Sequence, residues 1–133
     1  MDAWILRFPE PRQNMGDARE LIVLKRNADG EVVELETLEI QGRHANLPNV
    51  VEGQVKQGRK RIILDLFSEK RLDSNDLAQL IGAVKYAGDA GGQVVFANPR
   101  SRVREILRLT HLEDVVSIYD SIGEAAEHFS ASD

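Results

Sequence analysis

The chain has 133 residues, 42% hydrophobic and 29% charged, with no cysteine. That composition fits one globular domain able to bury about two-thirds of the surface its unfolded form exposes, and it rules out disulfides, thiolate chemistry and cysteine-ligated metal. The 22 acidic and 17 basic side chains give a formal net charge of −5, which argues against a general nucleic-acid binder, whose affinity comes from neutralising phosphates.

The first apolar run, Ala3-Trp4-Ile5-Leu6, is too short for a signal-peptide core or a membrane span, so a cytoplasmic protein without membrane insertion is expected. Residues 1–19 carry Pro9, Pro11 and Gly16 and little periodicity; they read as an N-terminal extension. Trp4, Ile5 and Phe8 within it are candidates for an added strand or a homodimer contact. From residue 20 the pattern becomes periodic. Leu21-Ile22-Val23-Leu24 and Val32-Val33-Glu34-Leu35 flank the turn signal Asn27-Ala28-Asp29-Gly30 and predict a β-hairpin. Leu38-Glu39-Ile40 reads as a further strand end. Leu47, Val50, Val51 and Val55 recur at helical spacing, closed by Gly58.

Arg61-Ile62-Ile63-Leu64-Asp65-Leu66-Phe67 is a short branched run that reads as a core strand. Leu77, Leu80, Ile81 and Val84 then predict a one-sided helix ended by Gly91-Gly92, followed by the strand Gln93-Val94-Val95-Phe96-Ala97 and the turn Asn98-Pro99. Val103, Ile106, Leu107 and Thr110 give another helix, and Val115-Val116-Ser117-Ile118-Tyr119 a last strand. Ser121-Ile122-Gly123-Glu124 has the form of a capping box, opening a helix with Ile122, Ala125, Ala126 and Phe129 on one side. Strands alternating with helices imply a mixed α/β fold. Its sheet is mainly parallel, of about four to five strands with an N-terminal β-hairpin, and about four helices accompany it.

Few residues suggest chemistry. His44, His111 and His128 lack a recognised metal-ligand spacing, and Gly88, Gly91 and Gly92 read as a helix stop instead of a phosphate loop. No cofactor or metal is expected. Arg100, Arg104 and Arg108 recur every four residues, as a solvated helix face or an anion site would; Arg59, Lys60 and Arg61 read as a charged turn. Asp65 and Asp73 stand near strand ends where two carboxylates can meet, but no nucleophile–base pair accompanies them, and an enzyme is not expected.

Arg71-Leu72-Asp73-Ser74-Asn75-Asp76-Leu77 marks the junction between the core strand and the first long helix. A helix start has backbone N–H groups without helical partners, where a phosphate or a partner's carboxylate is readily held. The same residues have a purely structural use. Asp73 or Ser74 can be the N-cap, and Asp76 places an acid in the first turn, each worth roughly 0.5–1 kcal/mol.

The order of these features resembles the STAS domain, the fold of anti-sigma factor antagonists. That pattern has a strand ending in Leu-Asp-Leu, then Asp-Ser-Ser/Thr-Gly-Leu opening a helix, Gly-Gly before a strand, Asn-Pro after it, and a helix like Val-Arg-x-x-Leu-x-x-Thr-Gly-Leu. This chain has Leu64-Asp65-Leu66, Asp73-Ser74-Asn75-Asp76-Leu77, Gly91-Gly92, Asn98-Pro99 and Val103 to Leu112, and also a similar Tyr119-Asp120-Ser121. The resemblance spans residues 20–130, taken as the STAS-like domain, and leaves 131–133 as a C-terminal tail.

The resemblance implies a regulatory module that binds an anti-sigma factor, itself a serine kinase, and is switched off when that kinase phosphorylates the second Ser/Thr of the motif. Asn75 occupies the phosphoacceptor position and has no hydroxyl; Asp76 replaces the glycine and puts a side chain and a charge where the family has bare backbone. The expected partner surface is Asp73, Ser74, Asn75, Asp76 and Leu77, with Ser74 as an alternative phosphosite. A structural or assembly STAS module in a signalling or transport complex is the alternative reading.

Overall fold

Alternating apolar runs and amphipathic segments assemble, in the computed structural model, into one mixed sheet with helices on both faces; residues 2–9, 19–40 and 46–131 are described. In chain order the elements are β1 (Ala3–Arg7), β2 (Arg19–Arg26), β3 (Val32–Ile40), α1 (Leu47–Lys56), β4 (Arg61–Asp65), α2 (Ser74–Asp89), β5 (Gln93–Ala97) and α3 (Ser101–Leu109). A 3₁₀ turn (Leu112–Asp114), β6 (Ile118–Tyr119) and α4 (Ile122–Ala131) complete them. The sheet order is β3-β2-β1-β4-β5-β6. β1, β4, β5 and β6 run parallel, while β2 and β3 form the antiparallel hairpin. This is the expected mixed fold, with six strands where four to five were expected.

The added strand is β1: of the two roles open to Trp4, Ile5 and Phe8 in the extension, residues 3–7 take that of a strand and belong to the sheet. Ala3–Arg7 lies between β2 and β4, with Ile5 opposite Leu24 on one side and Ile63 on the other. A strand with a neighbour on each edge and apolar layers on both faces belongs to the core. Ile5 and Phe8 are fully buried there, so they are enclosed by this chain's own packing and do not form the dimer contact that their sequence suggested. Pro11 and Gly16 lie outside the described residues, as do His44 and the last two residues of the tail.

Two apolar layers sandwich the sheet. Leu6, Phe8, Leu21, Val23, Ile62 and Leu64 meet α1, α2 and α3 on one face. Ile5, Leu24, Ile63 and Val95 meet Ala125, Ala126 and Phe129 of α4 on the other. The helix stops read from sequence have a concrete geometry. Gly58, at φ +93, donates to Val55 O and Arg59 N to Gln54 O; Gly91, also at φ +93, donates to Gly88 O and Gly92 N to Ala87 O. Both are Schellman closures, in which a left-handed glycine lets two further amides reach the last free carbonyls.

Two elements differ in extent. β3 runs without a break through Leu38-Glu39-Ile40, because a bulge between Val23 and Leu24 of the ladder leaves Leu35 as an extra residue and resets the alternation. The last strand shrinks to Ile118–Tyr119: Val115 and Val116 both donate to Leu112 O at 3.0 Å, closing the 3₁₀ turn and leaving Val115 exposed. His111, just before that turn, holds φ +62 where the resembled pattern has a glycine, a left-handed conformation that costs a non-glycine residue about 1–2 kcal/mol.

Candidate functional site

The segment between β4 and α2 is fixed from below. Asp65, at the end of β4 and 4% exposed, accepts from Arg7 Nε at 2.8 Å through one carboxylate oxygen and from the Phe67 amide at 3.0 Å through the other. One buried carboxylate therefore ties the ends of two adjacent parallel strands to the turn that follows. Leu66, Glu69 and Leu72 are buried along the connecting loop, while Phe67, Lys70 and Arg71 face solvent. The loop is held by its inward residues and displays the others.

At the start of α2, Asp73 is the N-cap, resolving the choice between Asp73 and Ser74. Its carboxylate accepts from the Asp76 amide at 2.8 Å, and the Asp76 carboxylate accepts from the Asp73 amide at 2.9 Å. This reciprocal capping box satisfies two amides at the helix terminus. It also changes the reading of Asp76. The side chain is only 1% exposed, folded back on the backbone, so the charge expected to project where the family has bare backbone is turned inward. Ser74 and Asn75, the first two residues of the helix, are exposed; Leu77 is half-buried and packs on the core. The polar groups displayed by this junction are thus Asp73, Ser74 and Asn75.

A second feature borders the same loop and escapes sequence reading. Arg100, just before α3, donates through Nε to the Phe67 carbonyl at 2.7 Å, and its guanidinium carbon lies 4.5 Å from the Phe67 ring centroid. Phe67 is 50% exposed. The sequence places Phe67 at the end of a strand and Arg100 on a helix face; their separation of 33 positions hides the pairing.

The arginine series does not form a single anion patch. Arg100 turns to Phe67 and Arg104 pairs with Asp120. Arg108 lines a groove of about 340 Å³ with Ser101, Arg104, Glu105 and Glu113, where two carboxylates offset the cations. Arg59 donates to Gln54 and Glu36, and Arg61 to the Asp2 carbonyl, in keeping with a charged turn. Asp65 is engaged by Arg7 and Asp73 by the first turn of α2. His128 is hydrogen-bonded to Tyr119 and Gln93 and holds α4 against the sheet. At the start of α4, Ser121 accepts the Glu124 amide, but the Glu124 carboxylate takes the Asp120 amide instead of the Ser121 amide that a full box requires. Among the described residues no cluster of three metal-ligating side chains occurs, and no helix is long and apolar enough to cross a membrane.

Comparison with known proteins points to one family. The STAS domain model matches residues 35–125. A candidate anti-sigma factor antagonist of Thermotoga neapolitana is 31% identical over 90 residues, covering 68% of this chain and 80% of that protein. A STAS-domain containing protein of Pseudomonas aeruginosa is 31% identical over 97 residues, covering 69% of this chain and 92% of its own. The crystal structure of a candidate anti-sigma factor antagonist from Thermotoga maritima superposes with a TM-score of 0.53 at 29% identity, over 61% of this chain and 74% of that one.

Proposed function

Because the chain belongs to the STAS domain family, we propose that it is a non-catalytic, cytoplasmic regulatory module. It acts in transcriptional signalling by docking an anti-sigma factor of the serine-kinase type on the surface around Asp73, Ser74 and Asn75. The observation that carries this reading is the pairing of an intact frame with a missing acceptor. Asp73 caps α2 and presents the next two residues to solvent, and the second of them is an asparagine.

A phosphoryl group at that place would add about −1.5 to −2 charges and three acceptor oxygens, enough to reverse the character of a docking surface. Asn75 cannot receive it, so the module stays competent for docking whatever the nucleotide state of the kinase. Asp76 does not supply the phosphorylated state in disguise, since its carboxylate is occupied by the Asp73 amide and turned inward. Ser74 has an exposed hydroxyl, but one residue along a helix turns a side chain by about 100°, away from the direction in which Asn75 points.

Asn75→Ser is expected to become a phosphorylation substrate of the kinase that binds the wild-type chain, with one phosphoryl group added by intact mass and mapped by fragmentation to the new serine. The wild-type chain and Ser74→Ala serve as controls. Phosphate on wild-type Ser74 would overturn the claim of an unswitched surface, and an unmodified Asn75→Ser in a stable kinase complex would show that position 75 does not face the active site.

A further inference from the structure

We infer that Phe67 and Arg100 form the anchor of the docking surface, and that the partner meets them with a carboxylate flanked by an aliphatic side chain. The inference rests on the proposed docking function and names the chemistry of the partner's side.

Three observations converge on this pair. First, half of the Phe67 surface is exposed to solvent. Second, the ring is held: the Asp65 carboxylate fixes its amide and Arg100 fixes its carbonyl and covers its face. An aromatic side chain already immobilised loses little conformational freedom on binding, as a hot-spot residue requires. Third, the hydrogen bond to Phe67 uses Arg100 Nε, which leaves the two terminal nitrogens of the guanidinium as a fork suited to one carboxylate.

Charge complementarity selects the occupant. The loop after β4 and the residue opposite it display Lys70, Arg71 and Arg100, against Asp73 as the exposed acid, in a chain of net charge −5. Among the exposed side chains here cations outnumber acids, which favours an acidic group on the partner and orients its approach. The flat guanidinium on the ring gives the carboxylate a fixed direction, and the uncovered part of the ring takes an aliphatic group.

The test uses the purified anti-sigma serine kinase bound by the wild-type chain, titrated calorimetrically with Phe67→Ala, Arg100→Ala and Arg100→Glu, each checked for an unchanged melting curve. Phe67→Ala is expected to weaken binding about 30-fold and Arg100→Glu about 100-fold. A lysine at one acidic position of the kinase should restore binding to Arg100→Glu while weakening the wild-type pair. Affinities within threefold of wild type for both Phe67→Ala and Arg100→Glu would overturn the anchor and leave the docking function standing. If no kinase of this type binds the wild-type chain, the function and the anchor fall together.

Discussion

Arg7→Ala is expected to lower folding stability by about 3 kcal/mol, because it leaves a buried carboxylate at the end of β4 without its counter-charge. Asp65 is 4% exposed whereas the Arg7 side chain is 41% exposed, and that asymmetry predicts an order. Asp65→Ala costs less, about 1–2 kcal/mol, since Arg7 returns to water and the chief loss is the acceptor for the Phe67 amide. Urea unfolding of the two variants measures both values. A smaller cost for Arg7→Ala than for Asp65→Ala would contradict the assignment of the buried charge. Against a total stability of about 5–15 kcal/mol, the pair is a substantial part of what joins β1 to β4, and hence of what fixes the loop that carries Phe67.

Asp76→Gly, which introduces the family's residue, should destabilise the protein by about 2 kcal/mol. Roughly 1 comes from the capping box and the rest from glycine inside a helix. Asp76→Asn keeps a carbonyl acceptor for the Asp73 amide and should lose less than about 1 kcal/mol. If both substitutions leave the melting temperature unchanged, the capping box is not a stabilising feature of α2. The physical point is that this chain has exchanged a bare backbone position for a stronger helix start. The exchange is compatible with docking because the new side chain folds inward instead of occupying the surface.

Much of the fold is legible in the sequence because its signals are local. The turn Asn27 to Gly30 closes with Gly30 N donating to Asn27 O, and the ends of α1 and α2 fall at glycines with positive φ. The frame of the site is legible for the same reason: Asp73 and Asp76 are three residues apart, and the acid-cap pattern is contained within one turn. What the sequence hides is non-local. β1 is five residues long, has Pro9 soon after it, and is recognisable as a core strand only through Ile63 and Leu24, its neighbours in the sheet. The Arg7–Asp65 pair spans 58 residues. The pairing of Phe67 with Arg100 depends on β4 and β5 lying side by side in register. The bulge at Leu35 breaks a two-residue period that had to be read as two strands.

The proposed function requires a docking surface that lacks its phosphorylation switch. It is tested most directly by measuring the affinity of the wild-type chain for an anti-sigma serine kinase after prolonged incubation with ADP and, in parallel, with ATP. A complex is expected in both, with the wild-type chain unmodified by mass and an affinity that differs by less than about threefold once each nucleotide is bound. A complex that forms in ADP but is lost in ATP together with phosphorylation of the chain, or no complex in either, would contradict it.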